Sequence, residues 1–188
     1  MENFFIKSKH WQVFLLFFVT FLVVMSSFLL VLIYSENTVF TGFVAGFTAA
    51  GSFALLLSWY FFLMRGLNRK IENPKHRTLK KGIWFFLIFP VVYLFLFLLA
   101  FPTGFVITTE NFHSVSLLWL LLIFPLHMFA VFCFFYVLYL TAKTIRIAYK
   151  QRKVSFVEFA GEFFLLWFFP IGIWFLQPEI NKILKDHP

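Results

Sequence analysis

The chain has 188 residues, of which 62% are hydrophobic and only 13% are charged. Soluble domains carry about 25% charged residues, so this composition excludes an ordinary soluble protein and predicts an integral membrane protein. The net charge of +8 does not indicate nucleic-acid binding, because the basic residues lie in short segments between apolar runs rather than on a solvated fold. We expect a bilayer with anionic headgroups to be their partner.

The apolar runs predict an all-α, polytopic membrane helix bundle. Four runs, at about residues 11–34, 40–64, 83–101 and 115–140, are long enough to span, since about 20 apolar residues cross a ~30 Å hydrocarbon core. Nothing in the remainder is long enough for a soluble domain, so residues 1–188 are expected to form a single membrane domain.

The basic residues predict the orientation of this bundle, because Lys and Arg next to a span stay in the cytoplasm. The segment 65–82 contains seven of them, whereas the connections 35–39 and 102–113 contain none. We therefore expect both termini to be cytoplasmic, in the inner membrane of a bacterium. The residues expected to meet lipid headgroups are Arg65, Arg69, Lys70, Lys80, Lys81, Lys143, Arg146 and Lys150.

The segment 141–153 carries five further basic residues. Lys143, Arg146 and Lys150 recur at helical spacing, opposite Ile145 and Ala148. This pattern predicts that the fourth helix continues as a basic amphipathic extension along the headgroups.

A stripe of small residues marks the second helix. Gly42, Gly46, Ala50 and Ala54 recur every four residues, which lets a neighbouring helix backbone approach closely. The stripe predicts a helix-packing face, and its partner is either another helix of this chain, which we favour, or a second protomer.

Three polar residues, Ser52, Tyr93 and His127, are predicted to lie near the bilayer midplane. Lipid offers polar groups no partner there, so we expect His127 to point into the bundle and to contact Tyr93, Ser52 or the carbonyl of Leu121. A hydrogen-bonded clasp between helices is the favoured interpretation, and a ligand or proton site is the alternative. We expect no haem, because no other predicted span contains a histidine to face His127.

The C-terminal segment 154–188 follows a different pattern. Ser155 and Glu158 form a capping-box pattern that predicts a helix start. The apolar run 163–176 has only 14 residues and contains Pro170 and Gly172, so we predict a re-entrant or interfacial helical segment. A fifth transmembrane helix at about 157–176 is the alternative. A second helix start is predicted at 177–179, where proline and an acid adjoin.

Glu158 and Glu162 lie one turn apart at the predicted interface. Paired carboxylates can perform acid–base catalysis, but no nucleophile, metal-ligand cluster or phosphate loop accompanies them. We therefore expect pairing with nearby cations, and no metal or cofactor.

These observations favour a non-enzymatic subunit that binds a protein partner or forms a homo-oligomer within a membrane complex. A small transporter or channel with a midplane polar site is the first alternative. A lipid-modifying membrane enzyme that uses Glu158 or Glu162 is the second.

Overall fold

The computed structural model describes residues 8–34, 38–104 and 116–186, and every regular element in these ranges is helical. The predicted outside connections, 35–39 and 102–113, lie mostly beyond the described residues. The α-helices are α1 His10–Tyr34, α2 Thr38–Lys70, α3 Ile83–Gly104, α4 Ser116–Lys150, α5 Phe156–Trp167 and α6 Phe169–Asp186, with a 3-10 helix at Pro74–His76.

Three of the described helices are long and apolar enough to cross a membrane. The qualifying stretches are His10–Leu30 of α1, Phe40–Lys70 of α2 and Leu121–Lys150 of α4. The apolar stretch Ile83–Leu99 of α3 is shorter. The prediction of an all-helical chain with apolar helices of membrane-spanning length is therefore confirmed for the described residues.

The stripe of small residues on α2 packs against α3. Gly42, Gly46 and Ala50 are buried and Ala54 is half-buried. A Cβ atom built on Gly46 would lie 3.0 Å from the carbonyl oxygen of Phe95, so the two helix backbones approach closely there. At Gly46 the neighbour of this face is thus a helix of the same chain.

The most completely buried side chains gather in the half of the bundle that carries the basic segments. On α1, by contrast, Val13 is the only described hydrophobic side chain that is fully buried. The bundle is therefore packed most tightly near its basic end. Its largest fully buried side chains are Leu57, Trp59, Tyr60, Leu63, Met64, Leu67, Ile71, Leu138, Ile145, Ile147, Phe159 and Leu166.

Gln151 joins the ends of α2 and α4. Its φ of 54° places it in the left-handed region and ends α4. Its side-chain amide donates to the carbonyl of Lys70 at 3.0 Å and accepts from the backbone N–H of Glu72 at 3.1 Å. The same amide nitrogen donates to the carbonyl of Ala148 at 2.7 Å, so the ends of both helices gain hydrogen-bond partners that water would otherwise provide.

Helices α5 and α6 form a helical hairpin that turns at Phe168. Ser155 precedes α5, and Glu158 Oε2 accepts a hydrogen bond from the Ser155 N–H at 2.9 Å, as the capping pattern predicts. At the far end of α5, the Tyr60 hydroxyl of α2 donates to the carbonyl of Leu166 at 3.0 Å. The turn of the hairpin is therefore held deep in the bundle by a hydrogen bond to α2.

From this turn α6 returns along the beginning of α1. Phe169 packs on Phe17 with ring centroids 4.5 Å apart, and Trp174 packs on His10 at 4.7 Å. The side chains of Gln177 and Asn181 both donate to the carbonyl of Ser8, at 3.2 and 3.1 Å. The C-terminal part of α6 thus lies beside the start of α1.

The predicted helix start at 177–179 is wrong, because α6 begins at Phe169 and Pro178 lies inside it. A proline within a helix removes one N–H and its hydrogen bond. Here Pro178 is exposed whereas Gln177 beside it is buried. The tertiary contact of Gln177 with Ser8 lies on the side of α6 that the proline does not disturb.

The crossing of α5 and α6 depends on Gly172. A Cβ atom at this position would lie 1.7 Å from the carbonyl oxygen of Leu165, so we expect Gly172→Ala to lower the free energy of unfolding by about 1–3 kcal/mol or more. An SDS titration in mixed micelles measures the change.

Gly161→Ala is the matched control within the same hairpin. A Cβ atom at Gly161 meets nothing within 4 Å, so alanine should raise stability by about 0.5–1 kcal/mol through its higher helix propensity. Equal stability of the Gly172→Ala protein and the parent would contradict this account of the crossing.

Candidate functional site at the basic end

Eight of the basic residues form two groups with different surroundings. Arg146, Lys150 and Arg152 contact two carboxylates of α5, and together these residues form what we call the ionic cluster. A second group lines an open cleft between the segment 75–83, α4 and residues 153–154, which we call the basic cleft. Its cations are Lys75, Arg77, Lys80, Lys143 and Lys153.

Glu158 is the centre of the ionic cluster. Its Oε1 lies 2.6 Å from Lys150 Nζ and 2.6 Å from Arg152 Nη2, while its Oε2 accepts from the Ser155 N–H. The hydrogen bond from Lys150, followed by those from Ser155 and Arg152, lowers the pKa of Glu158 to about 2. The carboxylate therefore stays ionised and fixes the start of α5 to the end of α4.

Glu162 lies one turn further along α5 and is buried. Its Oε1 is 2.8 Å from Arg146 Nη2, and Arg146 Nε donates to the carbonyl of Glu158 at 2.7 Å. Among the described residues, Glu162 Oε2 has no hydrogen-bond partner. Burial raises the pKa of Glu162, an effect that its backbone hydrogen bond and the charge of Arg146 only partly offset.

The basic cleft encloses about 680 Å³, within the ~300–1,000 Å³ range of small-molecule sites. None of the described residues that line it is acidic. Lys143 Nζ lies 5.5 Å from the centroid of the Tyr139 ring and 3.5 Å from its hydroxyl oxygen. The floor is apolar and consists of Ile83, Phe86, Leu140 and Ile147.

Buried Asn68 holds one wall of the cleft in place. Its Oδ1 accepts from the backbone N–H of Thr78 at 2.8 Å and of Leu79 at 3.3 Å, and its Nδ2 donates to the carbonyl of Met64 at 2.7 Å. The Thr78 hydroxyl is also hydrogen-bonded to that of Thr144 on α4. The wall is thus tied to both α2 and α4.

The structure separates the residues predicted to meet lipid headgroups. Lys80 and Lys143 line the basic cleft, whereas Arg146 and Lys150 belong to the ionic cluster. The other four, Arg65, Arg69, Lys70 and Lys81, lie outside both groups, and of these only Lys70 is half-buried.

Sequence reasoning missed the cleft residues Lys75, Arg77, Lys153, Tyr136 and Tyr139 as a group. The available signal was the spacing of Tyr136, Tyr139 and Lys143, which places these three side chains on one face of α4.

Of the three predicted midplane residues, the structure brings two together. The Tyr93 hydroxyl lies 3.1 Å from His127 Nδ1. Ser52 is not part of this contact, and its hydroxyl donates to the carbonyl of Thr48 in its own helix at 2.8 Å. Contrary to expectation, the His127 side chain is exposed on the surface of the bundle rather than turned into it.

The described residues contain no group of three or more His, Cys, Asp or Glu side chains that could hold a metal ion. Comparisons of the chain with protein-family models, curated proteins and solved structures gave no match.

The lowered pKa of Glu158 predicts a pH-dependent contribution to stability. Its folded pKa of about 2 is below its ordinary value of 4.5, so the contribution is complete above pH 4.5 and is lost as the pH falls towards 2. Glu158→Gln should therefore lower the melting temperature in detergent at pH 7, and the difference from the parent should shrink below pH 4.5.

Glu72→Gln is the control, since Glu72 is exposed and surface substitutions usually change stability by less than about 0.5 kcal/mol. A difference between Glu158→Gln and the parent that stays constant down to pH 2 would disprove the assignment to this carboxylate.

Proposed function

We propose that the chain is a non-enzymatic component of a membrane complex in the cytoplasmic membrane of a bacterium, with α1, α2, α3 and α4 as spans. Helix α3 has 22 residues and measures about 33 Å at ~1.5 Å per residue, enough for a ~30 Å core. It packs along α2 between the pairs Phe43–Phe95 and Phe61–Trp84. The distribution of Lys and Arg supports cytoplasmic termini.

Within this topology, the hairpin of α5 and α6 is re-entrant and does not form a fifth span. Glu158 near its beginning contacts Lys150 at the end of α4, and Asn181 near its end contacts Ser8 before α1. Its turn contacts Tyr60, which lies ten residues before the end of α2. Tyr60 is therefore about 15 Å from that end of the helix. These contacts support a hairpin that enters and leaves at the basic end.

Cysteine labelling tests this topology. In a Cys133→Ala background, Lys185→Cys should resist an impermeant maleimide in intact cells and react after permeabilisation, because Lys185 would be cytoplasmic. Glu36→Cys, in a predicted outside connection, should react in intact cells and serves as the positive control. Labelling of Lys185→Cys from outside would overturn the re-entrant topology in favour of five spans.

The observation that carries the partner-binding role is the contact between half-buried Tyr93 and exposed His127. Tyr93 is ten residues after the start of α3, about 15 Å into the bilayer, so the pair lies near the midplane of the proposed spans. Among the described residues, Tyr93 is the only hydrogen-bond partner of the imidazole. Hydrocarbon offers the remaining ring nitrogen no partner, and we infer that a helix of a partner protein covers this face.

The partner helix would present a hydrogen-bonding side chain to His127 and apolar side chains to its surroundings. Phe124 is 61% exposed and Leu121 is 64% exposed on the same part of α4. Hydrogen bonds between membrane helices contribute about 0.6 kcal/mol on average. Apolar packing must therefore supply most of the affinity, and His127 sets the register.

Site-specific photocrosslinking tests the partner. A benzoylphenylalanine at Phe124 should give a protein adduct, and His127→Leu should reduce its yield several-fold because the register contact is lost. The same probe at Phe47, 66% exposed on α2, is the control and should give an adduct that does not depend on His127, or none.

Two differently tagged copies of the chain distinguish a homo-oligomer from a complex with another protein. Absence of a protein adduct at Phe124, or a yield that His127→Leu leaves unchanged, would overturn the proposal.

A lipid-modifying enzyme is the second candidate, because the pKa values of Glu158 and Glu162 are displaced in opposite directions. Such displacement is typical of acid–base pairs. The partner-binding role has more support, since the Glu162 side chain is only 5% exposed and both carboxylates contact cations of α4. The transporter alternative has less support, because the polar pair lies on the outer surface of the chain.

A further inference from the structure

The basic cleft holds five cationic side chains, and none of the described residues that line it is acidic. Among the described residues, none of the five forms an ion pair, whereas the three cations of the ionic cluster all do. Like charges gathered in one concave site raise the local positive potential and attract anions. An anion bound in the cleft would neutralise part of this positive charge and reduce the repulsion among the five side chains.

Hydrogen bonds to α2 and α4 hold the wall of the cleft in place at Thr78. Asn68 anchors the backbone at Thr78, two residues from Lys80, and Thr144 anchors the same wall to α4 beside Lys143. Lys143 is further positioned by its contact with Tyr139. A cleft whose backbone wall is held in place loses less conformational entropy when a ligand binds.

The floor of the cleft is apolar, which restricts the kind of anion. Phe86 packs on Tyr136 with ring centroids 4.5 Å apart, and both line the cleft. Trp84 and Phe85, at the same end of α3, are more than half exposed. A small hydrophilic anion would leave this apolar surface uncovered, whereas the acyl chain of an amphiphile would bury it.

We propose that the basic cleft binds the phosphate group of a phosphorylated amphiphile, with its acyl chain against Phe86 and Tyr136. Phosphate offers several acceptor oxygens to lysine and arginine donors, and hydrogen bonds between charged groups are stronger than neutral ones. The proposal rests on the proposed orientation in one respect: the cleft adjoins Ile83, the first residue of α3, and so lies at headgroup level.

Calorimetry on the purified full chain in a neutral detergent tests this site at about 0.1 M salt, where long-range attraction is screened. The probes are dioctanoyl phosphatidic acid, dioctanoyl phosphatidylcholine and inorganic phosphate. We expect phosphatidic acid to bind at least about tenfold more tightly than either of the others, since only it combines an unshielded phosphate with acyl chains.

The double variant K80Q/K143Q should weaken binding of phosphatidic acid by about tenfold or more, because two charge-assisted contacts are lost. K182Q/K185Q removes the same net charge from α6, outside the cleft, and should change binding less than about twofold. The melting temperature of each variant establishes that it is folded.

Three results would overturn the proposal. Equal weakening by both double variants would assign the binding to net charge alone, and no weakening by K80Q/K143Q would place the ligand elsewhere. Inorganic phosphate that binds as tightly as phosphatidic acid would assign the same phosphate chemistry to a soluble compound. Because no bilayer or partner protein is present, these outcomes are independent of the labelling and crosslinking results.

Discussion

Hydrocarbon provides no hydrogen-bond partner, and this constraint determines how polar groups are distributed in the chain. Hydroxyl groups in the apolar helices bond to carbonyls of their own helix, as Thr20 does to Leu16 and Ser52 does to Thr48. The described Lys and Arg side chains collect at one end of the bundle, where, in the proposed topology, water and headgroups are within reach. Because polar side chains need defined partners, the same end also contains the tightest packing.

The hairpin of α5 and α6 satisfies this constraint with polar contacts at its beginning, its turn and its end. Its beginning is held by Glu158 and Arg146, its turn by the Tyr60 hydroxyl, and its end by Gln177 and Asn181 on the carbonyl of Ser8. Between these polar anchors, Gly172 lets the two helices touch at the backbone of Leu165. The hairpin thus fills the space between α1, α2 and α4 without leaving a deep carbonyl such as that of Leu166 unpaired.

Local features of the fold were predictable from sequence because their causes are local. Apolar runs gave the helices, the Ser155 and Glu158 pattern gave the start of α5, and the spacing of Gly42, Gly46 and Ala50 gave a packing face. The sequence predicted a helix start at 177–179, which lies inside α6. Gln177 is buried there by a contact with Ser8, 169 residues away in the chain, and no local pattern reveals such a contact. The exposure of His127 was equally inaccessible, since helical periodicity does not show which face other helices cover.

The candidate site shows the same limit most clearly at Lys143 and Lys150. These residues are seven apart and share a face of α4, so sequence reasoning assigned both to the headgroups. In the structure Lys150 is close enough to the end of α4 to reach Glu158 at 2.6 Å, whereas Lys143, two turns earlier, contacts Tyr139 in the basic cleft. The carboxylates of α5 therefore neutralise one set of cations and leave the other set unbalanced. The position of the hairpin, more than the number of basic residues, determines which of the described cations have a carboxylate partner.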